Sequence, residues 1–154
     1  MRGCLSFGFI RSFKQIKFLG NVGIIMKRMQ LTEENPLIRR EYEKINIKEE
    51  ILDETKEDCF IFFSDNGFYS IEDGQRDFVE KVVKENHYEW TSLAQNELIR
   101  EKAGKIIGVR DVYMTWYIKG INPKVNSVDK LIDLLCEKTS GYKITTVGTS
   151  AGGI

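Results

Sequence analysis

The residues with the clearest capacity for chemistry form the segment Gly148-Thr149-Ser150-Ala151-Gly152. A Gly-x-Ser-x-Gly segment directly after a β-branched strand is typical of a nucleophile elbow, the tight turn that presents a catalytic serine. Such a turn strains the backbone of Ser150 and exposes its hydroxyl, and glycines at 148 and 152 avoid a clash. The amide of Ala151 would then donate to an oxyanion. A plain tight turn of small residues is the structural alternative.

The spacing of the glycine, cysteine and histidine residues disfavours other kinds of site, namely phosphate-binding, dinucleotide-binding and metal sites. No Gly-Lys-Ser/Thr follows the segment, which excludes a P-loop, and the dinucleotide fingerprint lacks its spacing. Cys4, Cys59 and Cys136 are widely separated and His87 is the single histidine, so we expect no metal site and no cofactor. Cys59 and Cys136 fall within apolar patterns, which favours buried thiols in a reducing, cytoplasmic compartment.

Further candidates stand where two other predicted strands end. Gly67, in the turn after the first strand, is a candidate for the second oxyanion amide, with an ordinary turn as the alternative. Arg110 and Asp111 follow the second strand and precede Trp116 and Tyr117, a combination that could bind a sugar or a carboxylate. Alternatively, Arg110 and Asp111 pair locally while the two aromatic rings pack beneath the loop.

Composition narrows the class of protein. The 154 residues are 42% hydrophobic and 30% charged, with a formal net charge of zero, which favours a soluble globular chain without a field that attracts nucleic acid. No apolar stretch approaches the ~18 residues that a membrane-spanning helix needs. Residues 1–30 are basic, and we expect them to be an ill-ordered extension preceding a domain over 31–154.

Hydrophobic periodicity predicts three strands, each a short apolar or β-branched run, at 59–63, 105–109 and 143–147. Helices are expected over 78–83, over 92–102 with a stop at Gly104, and from a cap at Ser127 to a stop at Gly141. Asn35-Pro36 can start another helix, although 44–48 also alternates as a strand does. The acid-rich run 49–58 is interpreted as a solvated helix face. The order predicts an α/β protein with a parallel sheet and helices on both faces, in three layers.

With these elements in place, residues from about 59 to 154 resemble the N-terminal part of an α/β-hydrolase-like family found among bacterial polysaccharide-biosynthesis proteins. The matching segments are Phe62-Phe63-Ser64, Arg110-Asp111 followed by Trp116-Tyr117 and Gly120, and Val147 to Gly153. The resemblance implies an incomplete α/β-hydrolase-like fold in which Ser150 is the nucleophile of an esterase or acyl hydrolase.

One departure from that family limits the expected activity. In this fold the acid and the histidine follow the serine, but only four residues follow Ser150 and His87 precedes it. We therefore expect an N-terminal fragment that is inactive alone and whose full-length relative acts on a small-molecule or saccharide ester. The alternative is a non-catalytic accessory or binding protein of surface-polysaccharide biosynthesis, with loop 110–117 as its binding site. An exposed sheet edge also predicts self-association.

Overall fold

The computed structural model describes residues 35–65 and 77–153, which form a four-stranded mixed sheet with helices. The strands are β1 (Ile47–Ile51), β2 (Asp58–Phe63), β3 (Ala103–Val109) and β4 (Lys143–Val147), in the spatial order β1-β3-β2-β4. β2 is parallel to both β3 and β4. The predicted α/β class and the three predicted strands are confirmed, whereas the predicted extension over residues 1–30 lies outside the described residues.

β1 corrects two predictions. It runs antiparallel to β3, with Ile47 opposite Val109, so the sheet is mixed and not wholly parallel. The acid-rich run 49–58 was expected to be a helix face, but it supplies the end of β1 and the turn into β2. The physical reason is position: an edge strand tolerates charged side chains that keep other chains from pairing with it. An antiparallel edge strand on a parallel sheet is common among doubly wound folds.

Two helices begin where the sequence predicts a cap. The side chain of Asn35 accepts a hydrogen bond from the amide of Leu37 at the start of α1 (Pro36–Tyr42). Ser127 accepts one from the amide of Lys130 at the start of α4 (Val128–Lys138). Each cap satisfies an amide that the first helical turn leaves without an intrahelical acceptor. Gly141, which was predicted to stop α4, has a φ of +88° three residues after the helix ends.

The segment between β2 and β3 differs from expectation. Helix 92–102 is divided at Asn96 into α2 (Thr91–Ala94) and α3 (Glu97–Lys102), because the Asn96 side chain caps α3. Gly104 does not stop a helix but lies within β3. An ideal Cβ at position 104 would lie 2.8 Å from the Asp53 carbonyl oxygen, so glycine is needed here to let the two backbone segments approach closely. The helix predicted at 78–83 is a π-helix (Val79–Lys84).

Each face of the sheet carries its own apolar cluster. On one face, Leu131 and Leu135 of α4 pack with Ile61 of β2 and Ile107 of β3. On the other, the alternate residues Phe62 and Ile106 pack with three side chains of the segment before β3, namely Trp90, Ala94 and Ile99. Because successive strand residues point to opposite faces, both clusters share the same two central strands. No helix within 35–65 and 77–153 is long and apolar enough to cross a membrane.

Candidate functional site

The predicted serine lies in a tight turn at the carboxyl end of β4. Residues 148–153, called the serine turn here, leave β4 after Val147 and form a short 3₁₀ helix over Ser150–Gly153. Ser150 is exposed and has a φ of +52°, a conformation that L residues other than Asn and Asp rarely adopt. Ala151 is buried, with 1% of its surface exposed. The backbone thus carries strain at an exposed serine.

The glycines of the serine turn are required by close backbone contact. An ideal Cβ on Gly148 would overlap the carbonyl group of Gly152, so these two residues lie against each other across the turn. An ideal Cβ on Gly152 would lie 2.5 Å from the carbonyl oxygen of Phe63, at the end of β2. Side chains at either position would force the backbone to move. The turn is therefore packed against the end of β2 as well as against itself.

The end of β2 is contacted from two further segments. The Trp90 indole donates from Nε1 to the Phe63 carbonyl oxygen at 3.1 Å. The Tyr117 hydroxyl lies 2.8 Å from the Ser64 carbonyl oxygen and 3.2 Å from that of Val109, which places it between the ends of β2 and β3. Phe63 and Tyr117 also meet edge to face, with ring centroids 5.6 Å apart. Residues 63–65 thus join the serine turn to the rest of the domain.

The connections between the strands cover opposite faces of the sheet. Trp90 and Ala94, between β2 and β3, cover one face, and α4, between β3 and β4, covers the other. Doubly wound sheets with connections on opposite faces bind ligands in a crevice at the carboxyl ends of adjacent strands. Here the Tyr117 side chain occupies the position between β2 and β3. The serine turn lies on the other side of β2, beside β4.

Arg110, predicted to bind substrate, is buried in the protein with 1% of its surface exposed. Its Nε and Nη2 donate to Asn46 Oδ1 at 3.2 and 2.9 Å, and its Nη1 donates to the His87 carbonyl oxygen at 2.9 Å. The guanidinium also lies over the Tyr88 ring, 4.6 Å from its centroid. These contacts point the guanidinium inward and tie β3 to two neighbouring segments.

Asp111 organises its own loop. Its carboxylate accepts hydrogen bonds from the amides of Tyr113, Thr115 and Tyr117 at 2.7–3.1 Å. The residue is wholly buried, and burial raises the pKa of its carboxyl group although these amides oppose the rise. Trp116 is 40% exposed, whereas Tyr117 is buried and its pKa is raised by burial. Of the four predicted binding residues in this loop, Trp116 is the one whose side chain faces solvent substantially.

The loop after β3 is held in an uncommon backbone conformation. Met114, Trp116 and Tyr117 have φ values of +52°, +60° and +59°. Three non-glycine residues in the left-handed region cost free energy, and such residues persist only where surrounding contacts determine them. Hydrogen bonds to the Asp111 carboxylate supply such contacts, because the backbone amides of Thr115 and Tyr117 both donate to it. The sequence motif at 110–117 therefore specifies a rigid loop.

Sequence reasoning missed a pair of carboxyl groups beside the serine turn. Asp65 follows β2, and its amide donates to the carboxylate of Glu89. Its side-chain Oδ2 lies 3.4 Å from the Thr149 hydroxyl. Burial and contact with Asp65 raise the pKa of Glu89 to about 7. Neither acid belongs to a recognisable motif, so only the fold reveals their proximity.

Glu89 and His87 also line a cavity of about 200 Å³ on the face of the sheet opposite α4. Phe62, Ile106 and Gly108 form its floor. His87, the single histidine of the sequence, thus belongs to the segment that covers this face.

Two further predictions concern Gly67 and metal binding. Gly67, the candidate for the second oxyanion amide, lies outside the described residues. Within 35–65 and 77–153, no group of three or more His, Cys, Asp or Glu side chains is arranged to hold a metal ion.

Comparison with known proteins gives no independent guide to the chemistry. No family model, curated protein or solved structure matches this chain. The function is therefore inferred from the site itself. Its parts are the strained serine turn, the packed end of β2, the exposed Trp116 and the Asp65–Glu89 pair.

Proposed function

We propose that this chain carries the nucleophile turn of a serine hydrolase-like protein. Ser150 would attack the carbonyl carbon of an acyl ester, and the amide of Ala151 would donate to the oxyanion that forms. The observation that supports this most is the φ of +52° at the exposed Ser150, between two glycines whose missing side chains make the turn possible. Residues held in such a strained backbone conformation cluster at functional sites.

The surroundings of the turn fit the same proposal. In α/β-hydrolase-like folds, the second oxyanion amide comes from the loop after a strand near the serine-bearing strand. β2 is the neighbour of β4, and its loop begins at Ser64 and Asp65 against the serine turn. Gly67 in that loop keeps its proposed role as donor. The finer fold assignment, a three-layer incomplete α/β-hydrolase-like domain, belongs to this proposal.

The proposed substrate class follows from Trp116. The exposed face of Trp116 in the rigid 110–117 loop is suited to stack on a sugar ring, which fits a saccharide ester. The family of polysaccharide-biosynthesis proteins and a cytoplasmic location are part of the same proposal. A second function is favoured by the same residue: a non-catalytic protein could use Trp116 to bind a saccharide while Ser150 is incidental.

Self-association is a separate proposal about the sheet edge. Most of β4 is exposed, and half of the surface of Ile144 is accessible. A strand edge with exposed apolar residues favours pairing with another chain. Sedimentation velocity over a range of concentrations tests it: we expect a concentration-dependent dimer that Ile144→Lys weakens. A monomer at every concentration would contradict the proposal.

A labelling experiment tests the hydrolase proposal. A serine hydroxyl without a positioned base is a poor nucleophile, and the sequence has one histidine, His87. We expect a fluorophosphonate probe alone not to label the 154-residue chain, and added imidazole to permit labelling by supplying a diffusible base. Ser150→Ala should abolish the imidazole-dependent reaction. Ser140→Ala, at an exposed position after α4, should not.

The outcomes separate the two functions. Imidazole-dependent labelling that requires Ser150 supports the nucleophile turn. Labelling that persists in Ser150→Ala, or that imidazole leaves unchanged, contradicts it. If the unlabelled protein binds oligosaccharides and Trp116→Ala abolishes binding, the non-catalytic function is the better description.

A further inference from the structure

The serine turn lies against the last residue of β2. The pairing of β2 with β4 ends where Phe62 is opposite Val147, one residue before Phe63. Beyond that point Gly152 of the serine turn faces β2, because an ideal Cβ on Gly152 would lie 2.5 Å from the Phe63 carbonyl oxygen. The position of the turn relative to β2 therefore depends on where the Phe63 carbonyl group points.

The Trp90 side chain holds that carbonyl group. The indole Nε1 donates to the Phe63 oxygen at 3.1 Å. The ring itself is fixed by packing, since Trp90 belongs with Phe62 and Ala94 to the apolar cluster on the face of the sheet opposite α4. A hydrogen bond favours a narrow range of directions at a carbonyl oxygen. A donor on a packed ring therefore fixes the direction of the Phe63 carbonyl group, against which Gly152 lies.

The backbone of Trp90 is strained in the conformation that makes this contact. Its φ is +63°, a value that bulky L residues rarely adopt. Residues in this region persist only where surrounding contacts determine them, and they cluster at functional sites. The Trp90 carbonyl oxygen also accepts from the Ala94 amide at 2.8 Å, so the strained residue is joined to α2 as well as to β2.

The next carbonyl group of β2 is held in a similar way from the other face of the sheet. The Tyr117 hydroxyl lies 2.8 Å from the Ser64 carbonyl oxygen, and the ring of Tyr117 packs in the cluster beneath α4. Tyr117, like Trp90, has a left-handed backbone, with a φ of +59°. Two strained aromatic residues thus contact successive carbonyl groups at the end of β2. Trp90 is the one that contacts the carbonyl group next to the serine turn.

We propose that Trp90 is a positioning residue for the serine turn. Its Nε1–H group holds the Phe63 carbonyl group, and that carbonyl group sets the place of Gly152, two residues after Ser150. Without this hydrogen bond the carbonyl group turns toward another donor, and the serine turn loses the surface on which it packs. The inference about the geometry of the turn goes beyond the proposed function. Its consequence for the reaction of Ser150 rests on that function.

Hydrogen exchange on the full 154-residue chain, followed by nuclear magnetic resonance, tests the proposal. The Gly152 amide is the probe, because it donates to the Thr149 carbonyl oxygen at 2.8 Å within the turn. We expect this amide to exchange about two- to tenfold faster in Trp90→Phe, which corresponds to the loss of one net hydrogen bond. Tyr142→Phe removes a ring hydroxyl at a half-buried position beside α4 and should leave the Gly152 rate unchanged.

A second variant separates the hydrogen bond from the packing of the ring. Nonsense suppression can place β-(3-benzothienyl)alanine at position 90, where sulfur replaces the N–H group in a ring of nearly the same shape. We expect the same faster exchange at Gly152 in this variant. A tryptophan that acts only by packing would give the wild-type rate. A loss of global stability alone would not change that rate either, because an exposed turn opens locally, without unfolding of the domain.

Wild-type exchange at Gly152 in the benzothienyl variant overturns the proposal, as does equal acceleration in Tyr142→Phe. If Trp90→Phe does not fold, the benzothienyl variant decides alone, because it keeps the packed ring. Imidazole-dependent labelling by the fluorophosphonate probe tests the consequence for Ser150. It should be slower in the benzothienyl variant, and equal rates contradict a role in the reaction. If the wild-type chain is not labelled at all, the hydrolase proposal fails, while the exchange result still decides the role of Trp90.

Discussion

Asn46 and Arg110 are joined through a single oxygen: Oδ1 of Asn46 accepts from both Nε and Nη2 of the guanidinium, at 3.2 and 2.9 Å. The amide nitrogen of the same asparagine donates to the carbonyl oxygens of Glu41 and Ile121. Both residues are buried, so one neutral side chain links three segments and solvates a buried cation. Buried cations are retained only where such partners replace water.

We expect Asn46→Ala to lower the free energy of unfolding by about 3 kcal/mol, because it leaves a buried guanidinium without its main acceptor. Urea denaturation followed by circular dichroism measures the change. Asn126→Ala is the matched control: Asn126 is exposed, and its amide oxygen accepts from the Lys130 ammonium at 2.8 Å. A loss of stability equal to that of the control would show that Arg110 finds other acceptors.

Tyr117→Phe removes one hydroxyl from the ends of β2 and β3. The Ser64 and Val109 carbonyl oxygens lose a donor in a buried environment, which should cost about 1–2 kcal/mol of stability. Hydrogen exchange should also quicken in residues 63–65. Tyr142→Phe, whose ring is half-buried beside α4, serves as the comparison. Equal effects of the two substitutions would contradict a specific role for the Tyr117 hydroxyl.

Gly148→Ala should disrupt the serine turn, since a Cβ at 148 would overlap the Gly152 carbonyl group. Relieving such overlap by moving the backbone costs about 1–3 kcal/mol. Gly153→Ala is the control, because its Cβ would lie 3.4 Å from the Gly148 carbonyl oxygen and would need little movement. Hydrogen exchange of Thr149 and Ala151 amides reports the outcome. Unchanged protection in Gly148→Ala would mean that the turn adapts freely.

The pKa of Glu89 also predicts how stability depends on pH. A carboxyl group whose pKa is raised to about 7 on folding binds its proton more tightly in the folded state. Its contribution is complete below the unfolded value near ~4.3 and is lost as pH rises through 7. We therefore expect the urea midpoint of the wild-type chain to fall between pH 5 and 8. Glu89→Gln should flatten that dependence, whereas an equal slope in both proteins would contradict it.

The two cysteines of the described residues should differ in reactivity. Cys59 is fully buried in β2, and burial raises the pKa of its thiol to about 11, whereas Cys136 is exposed on α4. Because the thiolate is the nucleophile, iodoacetamide at pH 8 should modify Cys136 much faster. Mass spectrometry of a Cys4→Ser variant measures both rates. Comparable rates under native conditions would show that β2 opens readily.

Local features of this fold could be read from the sequence, and non-local ones could not. Asn35 and Ser127 cap their helices because a cap depends on neighbouring amides alone. The central strands β2 and β3 could be predicted because each is a short continuous run of apolar residues in the sequence. β1 was predicted only in part, because 44–48 alternates as a strand does whereas the acids from Glu49 onward were interpreted as a helix face. The antiparallel direction of β1 depends on its pairing with β3, which the sequence of β1 does not contain. The predicted burial of Cys136 was wrong, because the outer face of α4 carries it.

In the candidate site, too, the local features could be predicted from the sequence and the non-local contacts could not. The glycines around Ser150 predict a strained turn because the crowding is within the turn itself. Arg110 looked available for ligand, but its partner Asn46 is 64 residues away in sequence and could not be inferred. Asp65 and Glu89 are likewise joined only by the fold.

The Tyr117 hydroxyl between β2 and β3 has a consequence for ligand binding at this end of the sheet. It contacts the Ser64 and Val109 carbonyl oxygens, so a ligand placed between the ends of these two strands would have to displace a buried ring. Thr149 and Ser150 are exposed at the end of β4, so a ligand can reach the serine turn without that displacement.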